Sequence, residues 1–166
     1  MSAMQQGTRN PVTAPWDKDV ALARIRACLH LEGPLLPILH ALQEEFGYID
    51  AAAEPLIAEI LNLTRAEVHG VVTFYHDFRR QPAGRHVLKL CRAEACQAAG
   101  GDPLAEHAQT RLGIAMGDTA ADGSITLEPV YCLGLCATAP SAMLDGRLVG
   151  RLDDTRLDAL LREAQR

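Results

Sequence analysis

Four of the five cysteines in this 166-residue chain fall into two close pairs, and each pair follows a stretch patterned as a β-strand. His86-Val87-Leu88-Lys89-Leu90 alternates with the strand period and runs into Cys91, the first residue of the C-x4-C pair Cys91 and Cys96. Ser124 to Tyr131 reads as a second strand and delivers Cys132, which opens the C-x3-C pair Cys132 and Cys136. Two strand ends in one sheet can lie side by side, so this layout brings four sulfurs to one place. Soft thiolates suit iron–sulfur clusters and zinc and disfavour hard cations such as magnesium. Four thiolates, two to each iron, are what a 2Fe–2S centre requires.

Other chemistries also use paired cysteines. A four-cysteine zinc site usually favours C-x2-C spacing, which neither pair has. A dithiol oxidoreductase wants Cys-x-x-Cys near a helix start, and none is present. Structural disulfides belong to oxidising compartments. Met1 to Pro15 is polar, without the apolar core of a signal peptide, and no stretch approaches 18 consecutive apolar residues. A soluble cytoplasmic protein with no membrane insertion is expected. The net charge of -5 argues against a nucleic-acid surface, which calls for clustered Lys and Arg. Spacing therefore favours the iron–sulfur reading and leaves a zinc-stabilised binding module as the alternative of another class.

Loop composition agrees with a cluster. Sulfide and thiolate accept hydrogen bonds from backbone N–H groups, and Gly134 and Gly100-Gly101 would ease a close backbone approach. A 2Fe–2S centre with four thiolates carries about -2 oxidised and about -3 reduced. Arg92 either softens that charge or is simply solvated.

The rest of the chain predicts an α+β protein, with an N-terminal four-helix bundle followed by a small α/β domain whose helices pack on a sheet. Residues 1–16 read as a flexible tail, 17–81 as the bundle, and 85–166 as the domain that carries the cysteines. In the first helix Leu22, Ile25 and Leu29 share a face, with Cys28 beside them as a small hydrophobe. The second places Leu35, Ile38, Leu39, Leu42 and Phe46 on one stripe, stopped by Gly47. Asp50 is expected to cap a third helix that buries Leu56, Ile57, Ile60 and Leu61. Thr64-Arg65-Ala66-Glu67 is a capping box, flanked by Leu63 and Val68 as a staple, for a fourth helix carrying Val71, Val72, Tyr75 and Phe78. Beyond Cys96, Asp102-Pro103 predicts a helix start, with Leu104, Ala108 and Leu112 inward. A hairpin is expected over Ala142 to Val149 around Asp145-Gly146, then a last helix over Asp154 to Glu163 that buries Leu157, Leu160 and Leu161.

On these cysteines, on Phe46-Gly47-Tyr48-Ile49, on Glu67 to Tyr75 and on Cys132 to Pro140, the chain resembles the thioredoxin-like 2Fe–2S family. That family includes the small peripheral subunit of respiratory complex I and related subunits of NAD-linked hydrogenases and formate dehydrogenases. The resemblance implies an N-terminal helical bundle followed by a thioredoxin-like α/β domain, and one 2Fe–2S cluster with Cys91 and Cys96 on one iron and Cys132 and Cys136 on the other. Cys91 to Gln97 and Val130-Tyr131-Cys132 look most like the gamma subunit of soluble, molybdenum-containing, NAD-dependent formate dehydrogenase. A subunit of that kind is a non-catalytic electron carrier. Its partners would be a flavin- and NAD-binding beta subunit and a molybdenum-containing alpha subunit, which would hold the FMN, NAD, molybdenum cofactor and other iron–sulfur clusters. The equivalent subunit of complex I or of a bidirectional hydrogenase is the nearest alternative.

The chain has no substrate machinery of its own, and no catalytic residue is expected. No glycine-rich phosphate loop follows a strand and opens a helix. His69 and His76, seven apart on the fourth helix, read as satisfied or solvated rather than as partner contacts. Leu133, Leu135 and Met143 are candidates for an apolar contact surface beside the cysteine loops, or for packing beneath them.

Overall fold

The computed structural model describes residues 15–165, which fall into two compact units, one ending at Pro82 and one beginning at Ala83. The tail expected over 1–16 lies outside the described residues, apart from Pro15 and Trp16. The Trp16 ring sits 5.0 Å from that of Phe46. Among the described residues no helix is long and apolar enough to cross a membrane.

The first unit holds four helices around one core: α1 (Lys18–Ala27), α2 (Leu35–Phe46), α3 (Ala53–Leu61) and α4 (Arg65–Phe74). Asp17 caps α1 by accepting from the backbone N–H groups of Asp19 and Val20. The buried face of α1 is Ala21 and Ile25; the helix stops at Ala27, so Leu29 lies past its end and is exposed, against expectation. Cys28 is half-buried against the core. On α2 the inward stripe is as expected at Ile38, Leu39, Leu42 and Phe46, and Gly47 ends the helix at φ 77°. The α3 stripe is shifted. Asp50 accepts from Ala52 N–H at 2.8 Å and so closes a turn ahead of the helix. Ala53, Ile57 and Ala58 then face inward, leaving Leu56, Ile60 and Leu61 half-buried.

The capping box on α4 is formed in both directions. Glu67 N–H donates to Thr64 Oγ1 at 3.2 Å, and Thr64 N–H donates to the Glu67 carboxylate at 2.7 Å. The Thr64 N–H, together with the Thr64 hydroxyl that donates to the same carboxylate at 2.8 Å, holds the Glu67 carboxyl below its ordinary range. The helix buries Val68 and Val72 and ends at Phe74, so Tyr75 is exposed, Phe78 returns to the core, and His76 lies outside the helix that was expected to carry it.

The second unit runs β1 (His86–Cys91), α5 (Glu94–Ala98), α6 (Gly101–Leu112), β2 (Ile125–Val130), β3 (Ala142–Leu144), β4 (Arg147–Val149) and α7 (Asp154–Ala164). The sheet order is β2-β1-β3-β4; β1 and β2 are parallel and the other neighbours antiparallel. The β3–β4 turn at Asp145-Gly146 has φ 49° and 84°, the two positive values a tight two-residue hairpin turn demands. Leu88, Leu90, Ile125, Leu127, Ala142 and Leu144 share one core with Leu104, Ala105 and Ala108 of α6 and Leu157, Leu160 and Leu161 of α7. Two details depart from expectation. α6 begins at Gly101, capped by Gly100, so Asp102 lies inside its first turn. A short helix, α5, occupies what was expected to be loop, and Cys96 is on it.

Candidate metal centre

The sheet register sets the site. Cys91, the last residue of β1, lies opposite Val130, the last residue of β2. Arg92 N–H extends the pairing by donating to Val130 O at 2.8 Å. Cys132 follows two residues on, so the two cysteine loops leave the same end of adjacent parallel strands. On the other side Cys91 N–H donates to Ser141 O at 3.0 Å, and Ser141 Oγ lies 3.5 Å from Cys96 Sγ. Ser141, itself buried, thereby ties the first pair to the start of β3. Nothing in its local sequence marks it for this role; it is found through the pairing of β1 with β3.

Cys91 and Cys96 are buried, and Cys132 and Cys136 are exposed. The Cys132 and Cys136 sulfurs are 3.8 Å apart. A tetrahedral metal with bonds of about 2.3 Å places two thiolates about 3.8 Å apart, so this pair matches the bite of a single metal ion. Among the described residues no group of three or more His, Cys, Asp or Glu converges as a ready-made single-ion cage.

Backbone donors surround these sulfurs. Burial opposes ionisation of Cys91, yet N–H groups of Ala93, Cys132 and Leu133, together with the Cys96 thiol, hold its pKa below the ordinary thiol range. Cys132 adopts φ 109°, a left-handed value rare outside glycine. Such a conformation costs on the order of 1–3 kcal/mol and persists only where its surroundings hold it. Here it accompanies two successive N–H groups, of Cys132 and Leu133, that both favour the ionised form of Cys91. Successive N–H groups of this kind form an anion-binding concavity. Gly134 at φ 76° donates its N–H to Cys132 Sγ at 3.4 Å. No protein atom lies within 4 Å of the position a Cβ would take there, so within the protein it is the dihedral that calls for glycine. Gly101 is the reverse: a Cβ there would lie 2.7 Å from Cys96 O.

The Cys136 thiol is pushed up. The hydrogen bond and negative charge of Cys132 act first, and burial and the charges of Cys96 and Cys91 add to them. The Cys136 sulfur thus senses the other three, and the repulsion on ionising them together is what a cationic metal would offset. A buried cysteine whose ionisation backbone N–H groups favour, a second pair at metal-bite distance and adjacent strand ends that carry the two pairs fit a four-thiolate cluster.

Arg92 is neither simply solvated nor bonded to a sulfur. Its Nη2 lies 3.0 Å from Asp102 Oδ1, in an ion pair whose angle satisfies no hydrogen bond. Arg92 Nε and Asp102 Oδ1 are both buried atoms without a hydrogen-bond partner among the described residues. Leu133, Leu135 and Met143 are half-buried, whereas Tyr131, next to Cys132, is 75% exposed. His69 Nδ1 is 3.0 Å from the buried Glu54 carboxylate, a satisfied histidine as expected.

The thioredoxin-like 2Fe-2S ferredoxin family matches residues 22–165. A subunit of the NADH-quinone oxidoreductase of Pseudomonas aeruginosa is 39% identical over 132 residues, covering 78% of this chain and 75% of that protein. The HndA subunit of the NADP-reducing hydrogenase of Solidesulfovibrio fructosivorans is 31% identical, covering 80% and 77%. Among solved structures, an NAD+-reducing NiFe-hydrogenase in the air-oxidised state superposes with a TM-score of 0.66 at 30% identity. That match covers 79% of this chain but only 22% of the hydrogenase chain.

Proposed function

The chain belongs to the thioredoxin-like 2Fe-2S ferredoxin family, and from that premise we propose that it is the one-electron carrier of a soluble, NAD-dependent formate dehydrogenase. The bound 2Fe–2S cluster supplies one-electron transfer. Cys91 and Cys96 would hold one iron, and Cys132 and Cys136 the other. The observation that carries this assignment is the sheet register, which sets Cys91 opposite Val130 and brings both cysteine loops to one end of β1 and β2, beside a Cys132–Cys136 separation of 3.8 Å. The exposed pair and Tyr131 lie where a redox partner could approach.

The choice of formate dehydrogenase rests on Cys91 to Gln97 and Val130-Tyr131-Cys132, which look like its gamma subunit. The assembly would be cytoplasmic. A beta subunit would bind FMN and NAD, and an alpha subunit would carry the molybdenum cofactor. The relatives named above favour a second reading, the same carrier in a complex I or an NAD-linked hydrogenase.

Two experiments test the proposal. Replacing any one of Cys91, Cys96, Cys132 or Cys136 by Ser should lower iron per chain severalfold, while Cys28→Ser should retain the full content. Full iron in any of the four would remove that residue from the ligand set. Isolated intact from its own cells, the assembly should contain molybdenum and reduce NAD with formate. Nickel with hydrogen-dependent reduction, or a quinone-reducing complex, would replace formate dehydrogenase by the corresponding relative.

A further inference from the structure

We infer that the Arg92–Asp102 ion pair is a built-in setting for the electron affinity of the cluster, with the two members acting in opposite directions. The inference rests on the cluster reading above and concerns residues that reading leaves unused. Arg92 directly follows Cys91. Asp102 stands in the first turn of α6, next to Gly101, where an added Cβ would lie 2.7 Å from Cys96 O. The backbone of each member thus adjoins the buried cysteine pair, and the two charges lie 3.0 Å apart.

The pair is poorly explained as a structural clasp. Its geometry leaves Arg92 Nε and Asp102 Oδ1 buried and without hydrogen bonds among the described residues. A clasp would align its donors and acceptors. Charge acts over distance and needs no alignment. Reduction adds one electron and takes the centre from about -2 to about -3, so a nearby positive charge favours the reduced form and a negative one disfavours it. With both present, the effects largely cancel. Removing either exposes the other.

The test is a redox titration followed by EPR on the full chain with its cluster reconstituted. Arg92→Gln should shift the oxidised-to-reduced balance about tenfold toward oxidised, a midpoint about 59 mV lower for one electron. Asp102→Asn should raise the midpoint by a similar amount, and the double variant should return to within threefold of the parent. Arg92→Lys, which keeps the charge, should stay within threefold as well. Should Arg92→Gln fail to hold a cluster, the contrast between Asp102→Asn and Arg92→Lys decides the matter alone. Shifts of the same sign for the two neutralised variants, or no shift beyond threefold in Asp102→Asn, would overturn the inference. Loss of the reduced-state signal from the parent chain would instead overturn the cluster reading on which it rests.

Discussion

Gly101→Ala sets two physical effects of opposite sign against each other at the edge of the metal centre. Gly101 opens α6 with a φ that any residue can adopt, so helix propensity alone favours alanine by up to about 1 kcal/mol. Contact opposes it. The added Cβ would lie 2.7 Å from Cys96 O and 3.0 Å from Cys96 C, against about 3.5 Å for relaxed non-bonded atoms. Those atoms are backbone, so α5 or the start of α6 must retreat by roughly 0.5 Å or more. Overpacking of this kind costs about 1–3 kcal/mol against a gain of at most about 1 kcal/mol, which leaves a net loss of about 1 kcal/mol at the middle of the range. In a domain of about 60–100 residues that corresponds to a Tm lower by about 4–8 °C. Gly70 is the control: it lies in α4 with open space around it, so Gly70→Ala should raise stability by about 0.5–1 kcal/mol. Thermal melts of both variants by circular dichroism read the sign directly. Iron per chain after reconstitution should fall in Gly101→Ala, because displacing the Cys96 backbone displaces its sulfur. A Gly101→Ala protein as stable as the parent, with undiminished iron, would refute the contact argument.

Thr64→Ala removes one direction of the α4 capping box and should cost about 1 kcal/mol in urea unfolding, whereas Thr64→Ser should cost little; equal losses in the two would deny the cap its role. The hydrogen bond from His107 holds the Asp158 carboxyl below its usual range, helped by Arg111 and Arg162 and opposed by burial. A carboxylate lowered on folding contributes stability above its unfolded pKa of about 3.9 and loses it as pH falls through the folded value. Asp158→Asn should therefore be less stable than the parent at neutral pH and converge with it as pH falls from neutral through the folded pKa. A gap that stays constant across that range would contradict the linkage.

Local signals made much of the fold legible in the sequence. The Thr64–Glu67 box, the Asp145-Gly146 turn and the Gly47 stop each act through neighbours within a few residues, and all are present where expected. The stripes of α1 and α3 were misplaced for a compositional reason. Their inward positions include Ala21, Ala53 and Ala58, and small side chains do not stand out in a hydrophobic periodicity. Five residues give α5 too few turns to show a period at all, so Cys96 was assigned to a loop. At the candidate centre, the two strands that lead into the cysteine pairs could be read from their patterning. The positive φ of Cys132, the clasp through Ser141 and the contact at Gly101 could not, because each depends on residues distant in sequence.

The most direct test of the account is to determine iron, acid-labile sulfide and zinc per chain on the full protein, with EPR before and after dithionite. The four-thiolate centre predicts about two irons and two sulfides per chain, with an S = 1/2 signal that appears only on reduction. One zinc per chain, with no sulfide and no signal under anaerobic handling, would contradict it and leave a structural metal on the same scaffold.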